Sequence, residues 1–165
     1  LLMLALYPEP FLFIGKIELS RLPLFGYFYK RTNLLVDRAS LSSRKAVYSA
    51  ARDRLKKGQG LCIFPEGGAP EEEITLAPFK RGAFQLAAEL QVPILPFTFL
   101  DCKKRFPFAF WRGRPGPLRV VVHEPLAAPE LNSQAIEALK KRCYRIILQP
   151  LQTQTETYAI GSSSN

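Results

Sequence analysis

The run Leu61-Cys62-Ile63-Phe64-Pro65-Glu66-Gly67-Gly68 holds the residues best suited to chemistry in this 165-residue chain. A short apolar stretch, which reads as a buried strand, delivers one carboxylate onto a loop with two consecutive glycines. Pro65 has no N–H to donate, so ladder pairing stops there. Gly67 and Gly68 admit positive φ and let a ligand approach the backbone closely. A carboxylate at the carboxyl end of a strand stands where α/β folds place their ligands. Glu66 in that position can accept hydrogen bonds from hydroxyls or orient a base, and the glycine N–H groups can form a nest for an anion. Taken alone, the segment reads equally as a strand-to-loop turn with a solvated Glu.

Cations stand at corresponding places. Lys16 and Arg38 each follow a candidate strand, so both fit one end of a sheet. Arg engages two phosphate oxygens in a fork, whereas Lys acts as a point charge. Lys80 and Arg81 follow the acidic loop at a short distance in sequence. His123, the chain's one histidine, lies in Val120-Val121-Val122-His123-Glu124, where alternation places it on a strand face in a structural role. Cys62, Cys102 and Cys143 are odd in number and widely spaced, which fits neither a metal site nor a disulfide framework and indicates a reducing compartment.

The bulk numbers narrow the partners. Lys and Arg number 23 against 14 Asp and Glu, a formal +9, which favours an anionic surface or a phosphorylated substrate. Between Asp101 and Arg119 six cations are interleaved with Phe106, Phe108, Phe110 and Trp111. Aromatic rings suit the bilayer interface, and nearby cations contribute about 1 kcal/mol each against an anionic leaflet. An RNA-binding loop mixes the same residue types. No nucleic-acid-binding motif accompanies this one, so the four aromatics are read as membrane contacts and nucleic acid is not expected as a partner. Leu1 to Ile14 is apolar, but Pro8-Glu9-Pro10 interrupts it, so it is too short for a membrane span, and it lacks the basic start of a signal peptide. It reads as the interior of a longer protein.

Strand and helix signals alternate through the elements that would position these groups. Leu1 to Tyr7 reads as the tail of a buried helix, Phe11 to Gly15 as a strand, Ile17 to Lys30 as short helical turns, and Leu34 to Val36 as a strand. Ser42 or Ser43 can cap a helix running to about Lys57, which Gly58 and Gly60 end. After the Leu61 strand come a helix from Phe79 to Leu90, strands at Val92 to Phe99 and Leu118 to His123, and an amphipathic helix from Ser133 to Leu148. The pattern indicates an α/β fold with a mostly parallel central sheet flanked by helices, in one domain over residues 1–150. Residues 151–165 read as a polar, disordered tail.

Several of these segments resemble, in order, the glycerolipid acyltransferase family, in particular the bacterial 1-acyl-glycerol-3-phosphate acyltransferases. Phe64-Pro65-Glu66-Gly67 is similar to the family's third motif, F-P-E-G-T-R. Lys16 with Glu18-Leu19, Pro23, Gly26 and Val36-Asp37-Arg38 resembles the second motif region. Phe79-Lys80-Arg81-Gly82 resembles the F-K-x-G segment, and Val92-Pro93-Ile94-Leu95-Pro96 the fourth motif, V-P-I-x-P. The resemblance implies a glycerol-3-phosphate acyltransferase-like fold. It also implies transfer of a fatty acyl group from acyl-CoA or acyl carrier protein to 1-acylglycerol-3-phosphate, giving phosphatidic acid without metal or prosthetic group. By resemblance Lys16 and Arg38 hold the acceptor's phosphate and the Glu66-Gly67 motif lies at its glycerol, at the cytoplasmic face of a membrane, with the domain peripheral or anchored by a preceding segment. Gly68, through its backbone N–H, and Lys80 join this set as candidates of this chain's own sequence.

Two departures stand out. The family's H-x-x-x-x-D motif, which supplies the catalytic base, is not in the chain and is expected just before Leu1, so the 165 residues alone are expected to be inactive. The family's Thr-Arg is replaced by Gly68-Ala69, which leaves room for Lys80 or Arg81 as the replacement cation. It equally leaves room for another lyso-lipid acceptor such as an aminolipid, while the absent motif leaves room for a non-catalytic lipid-binding module.

Overall fold

The computed structural model describes residues 2–37, 39–68, 73–105 and 113–161. The chain divides into two compact units, Leu1–Phe64 and Pro65–Asn165.

The first unit is a parallel sheet with helices around it. In chain order it holds α1 (Leu2–Leu6), β1 (Phe11–Lys16), a 3-10 turn (Ile17–Arg21), α2 (Phe25–Thr32), β2 (Asn33–Val36), α3 (Leu41–Lys56) and β3 (Gly60–Cys62). The strand order is β2-β1-β3, every pairing parallel, with Lys16 opposite Val36 and Phe13 opposite Cys62. The carboxyl ends of all three strands therefore point the same way.

Each strand is a short apolar run, as parallel strands covered on their faces require. Helix α3 starts at Leu41 because Ser40, rather than Ser42 or Ser43, is its cap: the Ser40 hydroxyl accepts the Ser43 N–H at 3.2 Å. Ser43 has another use. Its hydroxyl accepts the Asp37 N–H at 2.9 Å, which ties the end of β2 to the first turn of α3. Val47 and Ala51, one turn apart, are the buried residues of α3, which lies against β2 and β3. Gly15 lets α2 approach β1: a Cβ there would stand 2.3 Å from the Tyr29 hydroxyl.

The second unit contains α4 (Gly82–Leu90), β4 (Phe97–Phe99), α5 (Cys102–Arg105), β5 (Val120–Val122) and α6 (Ser133–Gly161). Strands β4 and β5 pair antiparallel. The strand expected from Val92 to Phe99 is reduced to its last three residues, with one isolated bridge between Ile94 and Leu126. Pro93 and Pro96 donate no N–H, so a continuous ladder cannot form. The helix expected from Phe79 begins only at Gly82, because Phe79 turns into the core, its ring 6.2 Å from Phe84 and edge-on to Tyr144 at 5.0 Å. Phe79, Phe84, Ala88, Leu126, Ile136, Leu139 and Cys143 form that core. Helix α6 continues past Leu148 to Gly161, into the segment read as a tail. No glycine interrupts it before that position, and Pro150 removes one backbone donor without ending it.

Two polar contacts organise the β4–β5 pair. Buried Asp101 receives Arg119 through Nε at 2.9 Å, Nη2 at 2.8 Å and the backbone N–H at 2.9 Å, closing the base of the long excursion between the strands. Thr98, also buried, lies 2.8 Å from His123 Nε2 and 3.3 Å from the Ile147 carbonyl. That carbonyl can only accept, so the hydroxyl donates to it and His123 Nε2–H donates to Thr98. Among the described residues no helix is long and apolar enough to cross a membrane.

Asp101→Asn keeps the size of the side chain but loses the ionic fork, and Arg119 is half exposed, so we expect a loss of about 1–3 kcal/mol in urea unfolding. His123 gives a pH prediction of definite sign. Burial holds its pKa below the ordinary imidazole value of 6.5. The unfolded chain therefore binds the extra proton first as pH falls, and His123's contribution is complete above pH 6.5 and lost through the depressed folded pKa. The NMR titration midpoint of His123 should lie below 6.5, and His123→Gln should flatten the fall of Tm in that window.

Candidate functional site

Within the second unit the Glu66 loop is closed by three hydrogen bonds. Glu66 Oε2 accepts the Ala77 N–H at 2.7 Å. The Lys80 N–H donates to the Pro65 carbonyl at 2.7 Å. Tyr144, on α6, donates its hydroxyl to the Leu76 carbonyl at 3.0 Å. Segment 76–80 thus lies alongside the loop, fastened to it at both ends and to α6 from behind. Phe79 makes the fastening firm, since its ring is buried while Lys80 beside it is exposed.

This arrangement fixes what each loop residue can do. Glu66 is half-buried and spends one oxygen on Ala77; Oε1 has no hydrogen-bond partner among the described residues. A carboxylate so held is oriented in advance and keeps lone pairs for a hydroxyl donor. Gly67 has φ +78, and a Cβ there would lie 3.3 Å from Lys80 Cγ. The positive φ favours glycine, and its absent side chain leaves room for the Lys80 stem. Gly68 is exposed. Of the two candidate cations after the loop, Arg81 donates to Ser133 Oγ at 2.8 Å, whereas Lys80 has no ion-pair partner among the described residues.

Within the first unit, Lys16 ends β1, half exposed, with Nζ 3.7 Å from Glu18. An exposed pair at that distance holds the ammonium weakly and leaves it free to meet an anion. Val36 is in register with Lys16, so the chain leaves β2 at the end of the sheet where Lys16 stands. Arg38 lies outside the described residues, as do Phe106, Phe108, Phe110 and Trp111. Glu66, Gly67 and Lys80 come together in one loop cluster of the second unit, and Lys16 sits in the first.

The sequence reading missed Tyr144 and Ala77. Tyr144 lies on the half-buried side of an amphipathic helix, where its pattern is that of a core residue, and only its hydroxyl distinguishes it. Ala77 contributes a backbone N–H, which no side-chain pattern reveals.

No thiol is activated. Burial pushes both Cys62 and Cys143 up to about 11, and burial followed by the Asp101 carboxylate raises Cys102 as well. None is a thiolate at neutral pH, which is the form that attacks a thioester. His123 is engaged with Thr98.

Known proteins share both the sequence pattern and the fold. The acyltransferase family profile matches residues 1–100. A 1-acyl-sn-glycerol-3-phosphate acyltransferase of Chlamydomonas reinhardtii is 29% identical over 135 residues, covering 81% of this chain and 40% of that protein. One from Salmonella typhimurium is 28% identical over 144 residues, covering 86% of this chain and 58% of its own length. The chain thus spans between two-fifths and three-fifths of these relatives. The crystal structure of the 1-acyl-sn-glycerophosphate acyltransferase of Thermotoga maritima superposes with a TM-score of 0.68 at 21% identity, covering 88% of this chain and 57% of that one, which establishes the fold. With the family's profile matched across its first hundred residues and the fold shared, this chain belongs to the acyltransferase family.

Proposed function

We propose that this chain carries the acceptor-binding part of an enzyme that acylates 1-acylglycerol-3-phosphate, with acyl-CoA or acyl carrier protein as donor and phosphatidic acid as product. The acceptor's free hydroxyl attacks the thioester carbonyl while a general base takes its proton. A C–O bond forms, the C–S bond breaks, and the base returns the proton to the departing sulfur, so that a free thiol is released. The observation that carries the reading is the Glu66 loop, a carboxylate with one oxygen pinned by Ala77 and the other open. Such a group suits a glycerol hydroxyl, and it needs no rearrangement to bind one. The names of the relatives supply the substrate class.

Lys16, Arg38 and Lys80 are proposed as phosphate ligands, with Gly67 and Gly68 letting the acceptor approach the loop backbone. Lys80 is preferred to Arg81 as the replacement for the family's motif Arg, because Arg81 is held by Ser133. Gly68-Ala69 in place of Thr-Arg favours one further reading, a zwitterionic lyso-aminolipid acceptor, which needs less phosphate-directed charge. The reaction is placed at the cytoplasmic face of the membrane, with no metal or prosthetic group and with Phe106, Phe108, Phe110 and Trp111 in contact with lipid.

Acceptor kinetics with the full-length enzyme test the assignments. Glu66→Gln keeps an oxygen for Ala77 but loses the charge, so kcat/KM should fall about tenfold or more and Tm should fall less than in Glu66→Ala. Glu66→Ala should lose stability as well, by about 1–3 kcal/mol, from the stranded N–H. Lys16→Ala should raise the acceptor KM about tenfold and leave kcat nearly intact. An unchanged KM for 1-acylglycerol-3-phosphate beside a raised KM for a lyso-aminolipid would move the proposal to the second acceptor. A second prediction concerns the base. The purified 165 residues should show no acyl transfer, since their one histidine is bound to Thr98, and His123→Ala in the full-length enzyme should keep its rate within about twofold.

A further inference from the structure

The first unit carries an apolar patch that its own fold leaves uncovered. Leu24, Tyr27 and Phe28 are 87%, 60% and 67% exposed, and Leu19 and Leu22 on the preceding turn are about half exposed. Tyr27, Phe28 and Arg31 have helical spacing and so share one face of α2, and Leu24 is the residue just before its first turn. The opposite face is used internally: Gly26 is buried, with a Cβ there standing 2.2 Å from the Ser20 carbonyl oxygen, and Tyr29 lies over Gly15. The outward face is organised nonetheless. The Tyr27 and Phe28 rings meet edge-on at 5.4 Å, and Arg31 stacks over Tyr27 at 3.6 Å.

Leu24 shows that the exposure has a conformational cost. Its φ of 59 and ψ of −55 lie near the strained γ-turn region, which glycine tolerates and leucine rarely adopts. A bulky apolar side chain is thus held outward where a smaller residue would be more stable.

Charge identifies the occupant. Between Lys16 and Thr32 the cations Lys16, Arg21, Lys30 and Arg31 meet one acid, Glu18. The whole unit has eleven Lys and Arg against four Asp and Glu, a formal +7 of the chain's +9. Aromatic and leucine side chains rimmed by Lys and Arg are the composition of a helix that lies in a headgroup layer.

We infer that the outward face of α2, with Leu19 and Leu22, docks on the surface of an anionic phospholipid bilayer. Lys16 immediately precedes the turn that begins the patch, so docking brings the end of β1 to the headgroup level. That consequence rests on the proposed lipid acceptor; the docking itself does not.

Co-sedimentation of the purified chain with vesicles of phosphatidylcholine, alone or with 30% phosphatidylglycerol (about one lipid in three, enough for a surface potential), tests the inference. Binding should require phosphatidylglycerol and weaken as salt is raised. Leu24→Gly with Phe28→Ser should reduce partitioning about tenfold or more. Leu24→Gly alone should keep or raise Tm, because it releases the strained φ, which separates docking from folding. Arg31→Gln should weaken binding about fivefold. Binding that ignores phosphatidylglycerol, or that survives the double substitution, overturns the inference. So does a dimer in sedimentation that the double substitution dissociates, since the face would then belong to a second copy. If vesicle binding behaves as expected but the full-length protein acylates no lysolipid, the acceptor assignment fails and the docking surface stands.

Discussion

Strand β3 ends at Cys62 and Pro65 has no N–H with which to resume pairing, so the residues beyond need new partners for their backbone groups. Here the solution is a clasp. The Pro65 carbonyl takes the Lys80 N–H, and the Glu66 carboxylate takes the Ala77 N–H. A hydrogen bond to a charged group is worth about 1.5–3 kcal/mol net, more than a neutral one. The acidic residue therefore has two duties, closing its own loop and presenting a free oxygen. The clasp would be loose on its own, but Phe79 is inside the core against Phe84 and Tyr144, and the Tyr144 hydroxyl holds Leu76. Core packing thus sets the direction of a surface carboxylate.

The first unit solves a different problem with parallel strands. Parallel pairing places every carboxyl end at one edge, so a cation that ends β1 and a chain that leaves β2 share a level without any special loop. Local hydrogen bonds then keep that edge in shape. Asp37 N–H to Ser43 and Ser43 N–H to Ser40 join the end of β2 to the start of α3. Lys16 remains only weakly paired with Glu18. An ion pair exposed to water costs little to exchange for another anion, so this contact contributes little to stability.

How much of this is legible in the residues depends on the range of the interaction. Apolar runs ending in Lys16 and Val36 mark β1 and β2, and Phe64-Pro65-Glu66-Gly67 marks the loop, since strand ends and turn residues are local signals. The prolines at 93 and 96 flag a weak ladder, but not that only Phe97–Phe99 survives. Phe79 reads as helix from its neighbours and is turned inward by a ring partner 65 residues away in sequence. The cap on α3 is misplaced by two or three residues in the sequence because Ser40, Ser42 and Ser43 are chemically alike, and only the geometry shows that Ser43 is already committed to Asp37. Non-local contacts with Tyr144 and Arg119 carry no local signal at all.

The distribution of ionisable groups narrows what these residues contribute. Burial raises the pKa of each cysteine, so none is an activated thiolate at neutral pH. The imidazole is committed to Thr98, whose hydroxyl is itself committed to Ile147, and its depressed pKa comes from that half-buried setting. What remains is charge and shape: an oriented carboxylate, exposed lysines and a basic apolar helix face. In the proposed function such groups bind and position, and the general base is a separate component. Binding energy contributed away from the reacting atoms accelerates a reaction only by fixing geometry. A carboxylate fastened by the backbone beside it is already in place, which is the condition that the proposed acceptor contact requires.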